Sequence, residues 1–218
     1  MMLRCLVLGL LGMGTVHAAD MIALRYMDQD SGSVAYPTRI LVTPNFMRMD
    51  GGEDAGDFVL LDRRQHKVIH VVHDNKMAMV FKLGKLPAKP ANWKPQLDTQ
   101  KTGRGTETFT LTVEGVVCSE GVAARQAAPD AARAMAEYKA VLASMQYRVW
   151  KESPASMQHS CDLANQVWET GTTLKLGLPL DEREFTGRTR KFESENRLPL
   201  NPKLFRVPNG MPLVNAPS

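Results

Sequence analysis

The 218 residues, 44% of them hydrophobic, suffice for one domain with its own core. The formal charge of +4, from 27 Lys and Arg against 23 Asp and Glu, would suit nucleic acid in a cytosolic protein, but the first residues point to export and remove that partner. Beyond that N-terminal segment no window approaches the roughly 18 consecutive apolar residues of a membrane span.

The opening MMLRCLVLGLLGMGTVHAAD has a charge at Arg4, an apolar run from Leu6 to Val16 and small residues at Ala18 and Ala19. These are the three parts of a secretory signal peptide, so residues 1–18 are expected to be a leader cut after Ala18 or Ala19, leaving a mature chain in the periplasm. No cysteine stands at the cut, which argues against a lipid anchor. Loss of the leader takes away Cys5, and the remaining Cys118 and Cys161 are expected to form one disulfide in an oxidising compartment. Its loop of about 44 residues corresponds to roughly 4 kcal/mol in the chain-entropy account.

From Met21 the chain alternates apolar residues at Ile22, Leu24 and Tyr26, turns through Asp28 to Ser33, and returns as a strand from Val34 to Val42. Further strands are predicted around Phe46 to Met49 and from Asp57 to Asp62, with a Gly and acid loop from Asp50 to Gly56 between them. The stretch HKVIHVVHDNKMAMVF is read as a hairpin of residues 67–73 and 77–82 turning at Asp74 to Lys76. In a strand His66, His70 and His73 cannot close on one ion, because His70 and His73 point to opposite faces and His66 lies about 13 Å from His70.

Leu83 to Arg104 is proline-rich and basic and reads as an extended loop. Lys85, Lys89 and Lys94 around Trp93 make it a candidate contact for an anionic membrane surface. Thr106 to Val117 is predicted as a strand with Phe109, Leu111 and Val113 on one face. Pro129 and Asp130 start a helix to about Tyr147, with an apolar stripe through Met135, Tyr138, Val141, Leu142 and Met145. Short strands are expected at Gln166 to Glu169, Thr172 to Leu178, Glu184 to Thr189 and Lys191 to Glu195, with residues 213–218 a disordered tail.

Three passages carry a resemblance to a known family: FMRMDGGEDAGDFVLLDRRQHKVIHVVHDNKMAMV, the GLPL of Gly177 to Leu180, and LFRVPNGM at Leu204 to Met211. Together with the strand order they resemble the periplasmic LolA/LolB-like superfamily of outer-membrane lipoprotein carriers, also seen in the N-terminal part of RseB/MucB-type regulators. The resemblance implies a mainly β (α+β) single domain over residues 19–212, a strongly curved antiparallel half-barrel sheet under one long helix. It also implies a hydrophobic ligand, an acyl chain, a lipoprotein or an apolar segment of an envelope protein, on the concave face.

Candidate lining residues are Met47, Met49, Phe58, Leu60, Ile69, Val71, Met77, Met79, Phe81, Phe109 and Leu111. A three-residue turn would set Ile69, Val71 and His73 against Phe81, Met79 and Met77 on one side of the ribbon. A soft-metal alternative uses the same segment, since thioether and imidazole suit copper: His73 faces Met77 across a three-residue turn, whereas His70 faces Met79 across a two-residue one. The metal candidates are therefore His70, His73, Met77 and Met79, and a third alternative is an envelope-stress sensor. No GxSxG, HExxH, phosphate loop or CxxC occurs in the sequence, so the expectation is a monomeric, non-catalytic protein without a cofactor.

Overall fold

The computed structural model describes residues 20–103 and 105–216. The leader expected over residues 1–18, with its cleavage after Ala18 or Ala19, lies outside the described residues. Six strands follow one another as an antiparallel meander: β1 (Asp20–Gln29), β2 (Tyr36–Val42), β3 (Phe46–Asp50), β4 (Phe58–Asp62), β5 (Lys67–Val72) and β6 (Met77–Lys82). A second antiparallel run contains β7 (Pro95–Gly103), β8 (Thr106–Val113), β9 (Val116–Ala124), β10 (Leu178–Glu184) and β11 (Thr189–Pro199). β1 pairs with β11 and joins the two runs into one curved, open sheet, mainly β as expected. Helix α1 (Pro129–Glu152) is inserted between β9 and β10, followed by the single turn α2 (Ser160–Leu163).

Local chemistry explains the turns. Glu114 and Gly115 both have positive φ, as a two-residue type I′ hairpin requires, so the single strand expected over Thr106 to Val117 is two strands, β8 and β9. Asp62 pairs with Lys67 and Val72 with Met77, each across a four-residue turn ending in a residue of positive φ, His66 or Lys76. Helix α1 starts at Pro129, whose missing N–H costs nothing at a first helical position, and it runs past Tyr147 to Glu152.

Other expectations are corrected. Residues Gln166 to Glu169 and Thr172 to Leu178 do not form strands: Ala164–Trp168 and Thr173–Lys175 are short helical turns whose Val167 and Leu174 are buried. Packing there overrides the β preference of Val and Thr. Glu184 to Thr189 is mostly the turn between β10 and β11, with Gly187 at positive φ. The proline-rich loop ends in an edge strand, β7. Leu213–Asn215, expected in a disordered tail, forms β12, which adds parallel to β6 at the other edge.

Both faces of the first meander are buried, because alternate residues supply two separate cores. Leu24, Ile40, Met47, Leu61, Val68 and Phe81 pack with Ala131, Met135, Val141 and Leu142 of α1 on the helix side. Ala23, Leu41, Phe58, Leu60, Ile69 and Val71 face the opposite side, where Leu204 and Phe205 cover them. Arg48, fully buried on that side, fastens the cover: it donates to the Leu204 carbonyl at 2.9 Å, pairs with Asp50 and lies 3.9 Å over the Phe58 ring. The expected disulfide is present between Cys118 of β9 and Cys161 of α2, in a third small cluster with Leu111 and Val113.

Candidate functional site

The helix is clamped before it can form a site. Arg63, in the turn after β4, donates to both Asp130 carboxylate oxygens at 3.0 Å, to Glu137 at 2.6 and 3.1 Å, and to the Thr43 carbonyl at 3.0 Å. These bonds tie the first three turns of α1 to the sheet and hold the Asp130 carboxyl below the usual carboxylate range.

With its N-terminal half fixed, α1 presents Val141, Ser144, Met145 and Arg148, spaced i, i+3, i+4 and i+7, to a cleft of about 560 Å³. Such a volume falls in the roughly 300–1,000 Å³ of small-molecule sites. The facing wall is the end of β6, with Phe81 and Lys82, and the chain that leaves it, Leu83 to Lys85. Asn215 and Ala216 close a third side, held by the bond from the Ala216 amide to the Val80 carbonyl at 2.8 Å.

Gly84 sets how closely this loop passes the helix. A Cβ there would stand 2.3 Å from Ser144 Oγ and 2.8 Å from Ser144 Cβ, so a larger residue forces the loop off α1. Phe81, Val141 and Met145 belong to the helix-side core, so the floor of the cleft is the core surface itself.

The candidate lining residues divide among three places. Met47, Met49, Met79 and Phe81 face the helix side, and only Phe81 reaches the cleft. Phe58, Leu60, Ile69 and Val71 lie on the opposite side under Leu204 and Phe205. Leu111 belongs to the disulfide cluster, and Phe109 is buried two residues before it on the same strand face. Met77 is half-buried opposite Val72.

The cause is register. Ile69 pairs with Val80, His70 with Met79 and Val71 with Ala78, so the three-residue turn, and with it the shared face of Ile69, Val71 and His73 with Met77, Met79 and Phe81, is corrected. Shifting the pairing by one residue exchanges the faces.

The same register decides between the metal alternatives. His73 stands in the turn with Nδ1 3.3 Å from Asp57 and does not face Met77. His70 faces Met79 in a row that runs Met49, Val59, His70, Met79 across β3 to β6. Its ring lies 4.9 Å from Phe81, its Nε2 is buried without a partner among the described residues, and burial lowers its pKa. A neutral imidazole with a free ring nitrogen is chemically able to ligate a soft metal.

The basic loop is engaged with the protein. Lys89 pairs with Glu169 at 2.6 Å, and Trp93 donates to the same carboxylate at 3.1 Å while packing edge-on against Trp168. Sequence reasoning took Val141 and Met145 for core alone and missed Lys82 and Arg148. The signal was present: the helix stripe is apolar at Val141 and ends in Arg148, and β6 likewise passes from Phe81 to Lys82.

No family model matches the chain, and no curated protein does. Among solved structures, PNGF-II in a C2 space group aligns at 12% identity and a TM-score of 0.45. That alignment covers 91% of this chain and 31% of that one, so the chain spans about a third of its length. PNGF-II in a P21 space group aligns at 9% identity and a TM-score of 0.39, over 91% of this chain and 32% of that one. The LolA superfamily protein NE2245 from Nitrosomonas europaea aligns at 8% identity and a TM-score of 0.34, over 87% of this chain and 90% of that one.

Proposed function

We propose that the chain is an exported, non-catalytic binding protein that buries the apolar part of a ligand in the cleft between α1 and the end of β6. One observation carries the reading: the cleft is walled by a single helical stripe and floored by Phe81, Val141 and Met145, so an apolar chain entering it extends the existing core. Each buried methylene contributes about 0.8 kcal/mol, so ten supply roughly 8 kcal/mol before the cost of ordering the ligand. An acyl chain, free or attached to a lipoprotein, meets that description, as does an apolar segment of an envelope partner.

Native mass spectrometry of protein purified from the cell envelope tests this reading. A bound acyl species is expected on the wild type and not on Met145→Trp, whose larger side chain occupies the apolar floor of the cleft. Equal occupancy of both proteins, or a bare wild type that also takes up no added fatty acid, counts against it.

A second reading rests on the cross-strand pair of His70 and Met79 with its unpartnered Nε2: a copper(I) site of thioether and imidazole ligands. Competitive titration against a copper(I) chelator is expected to show weaker binding in Met79→Leu than in wild type. Identical curves dispose of it.

A further inference from the structure

We infer that the cleft selects an amphiphile with an anionic head: a single alkyl chain ending in a carboxylate or phosphate, the chain on Phe81, Val141 and Met145 and the head at Lys82 and Lys85. This deepens the proposed function and rests on the cleft being the ligand site.

The walls carry the inference. Along α1 the stripe begins at the buried Val141, passes the half-buried Met145 and ends at Arg148, a span of about 10 Å at 1.5 Å per residue. Along the facing wall Phe81 is buried, whereas Lys82 and Lys85 are exposed. The β6 wall therefore passes from apolar to cationic as it approaches solvent, and among the described residues no Asp or Glu lines the cleft.

The two lysines have no ion-pair partner among the described residues, whereas Lys89 in the same loop is neutralised by Glu169. Uncompensated cations at the rim of an apolar pocket attract an anion and disfavour an uncharged or cationic head. Lysine suits a head of variable geometry, being a point charge on a flexible stem. Ser144 Oγ, also in the lining, adds a neutral donor between the two zones.

The chemistry is shared by a free fatty acid and by the single-chain form of an anionic phospholipid, and titration calorimetry at low salt separates the sources. The ligands are laurate, lyso-phosphatidylglycerol, the uncharged monolaurin and inorganic phosphate, offered to wild type and to the double variant Lys82→Glu, Lys85→Glu. Both positions are exposed, and Lys82→Gln, Lys85→Gln serves as a milder pair if charge reversal disturbs folding.

The wild type is expected to bind laurate or lyso-phosphatidylglycerol about tenfold more tightly than monolaurin, the preference shrinking as salt rises. The double variant is expected to lose that preference while holding monolaurin unchanged. Binding of laurate alone points to a fatty acid, binding of both to a lipid-derived chain, and either result supports the inference.

Equal affinity for laurate and monolaurin in both proteins overturns the head-group inference and leaves the cleft reading standing. Phosphate that binds as tightly as laurate also overturns it, by making the site an anion site without a chain. Failure of every chain-bearing ligand removes the cleft reading itself.

Discussion

At the scale of single residues, Arg63 matters most to the site without lining it. Its guanidinium is almost fully buried, and Asp130 and Glu137, each about a quarter to a third exposed, receive four of its hydrogen bonds. Removing one partner of a buried ion pair costs roughly 3–5 kcal/mol, and the partial exposure of the carboxylates cuts this to about 2 kcal/mol. Arg63→Gln is therefore expected to lower the thermal midpoint by roughly 4–8 °C, measured by circular dichroism.

The pH dependence follows from the same contact. The hydrogen bonds from Arg63 are the main cause of the lowered Asp130 pKa. A carboxyl whose folded pKa lies below its unfolded value of about 3.9 contributes stability above that value and loses it as pH falls through the folded one. The gap between wild type and Arg63→Gln should hold at neutral pH and narrow below about pH 4. A gap that persists unchanged at pH 2 would mean that the carboxylates are not the partners that matter. Nothing in the run LLDRRQHK distinguishes Arg63 from Arg64, since only the course of α1 over the turn decides which of them is buried.

At the scale of elements, periodicity made most strands and the long helix readable, and turn length decided what remained hidden. Asp74, Asn75 and Lys76 look like a three-residue turn, yet Lys76 adopts positive φ and closes a four-residue turn from His73 through the bond from its amide to the His73 carbonyl at 3.0 Å. One residue of difference moved Met79 and Phe81 to the side away from Ile69 and Val71. β12 was hidden for another reason. Three exposed residues after Pro212 carry no pattern, and their order comes from an edge of β6 that needs a partner.

A chain ending at Met211 therefore loses the Pro212 carbonyl that accepts the Ala78 amide at 3.0 Å. Hydrogen exchange should show the Ala78 amide losing protection, with a measurable increase in ligand off-rate, since Asn215 and Ala216 wall the cleft. Unchanged protection at Ala78 would show that β12 is not the partner of that edge.

At the scale of the whole molecule, a first meander buried on both faces leaves few places for a ligand along it. The helix side is filled by α1 and the opposite side by the segment around Leu204 and Phe205, so the broad apolar wall expected from the sequence is already core. A cleft remains at the seam where α1, the end of β6 and β12 meet, and there apolar and cationic groups occur together. The fold class and the disulfide were legible because they depend on alternation and on the two cysteines, Cys118 and Cys161, that lie beyond the expected leader. The site was not, because it arises where elements far apart in sequence, residues 81–85, 141–148 and 215–216, converge.

Methyl-resolved NMR of Ile, Leu, Val and Met side chains during titration with laurate tests the central claim most directly. The seam account expects Val141 and Met145 to shift with saturation, while Ile69, Val71 and Leu204 on the opposite side of the sheet stay in place. Shifts centred on those opposite-side methyls, or a saturating ligand that leaves Val141 and Met145 unmoved, would contradict it.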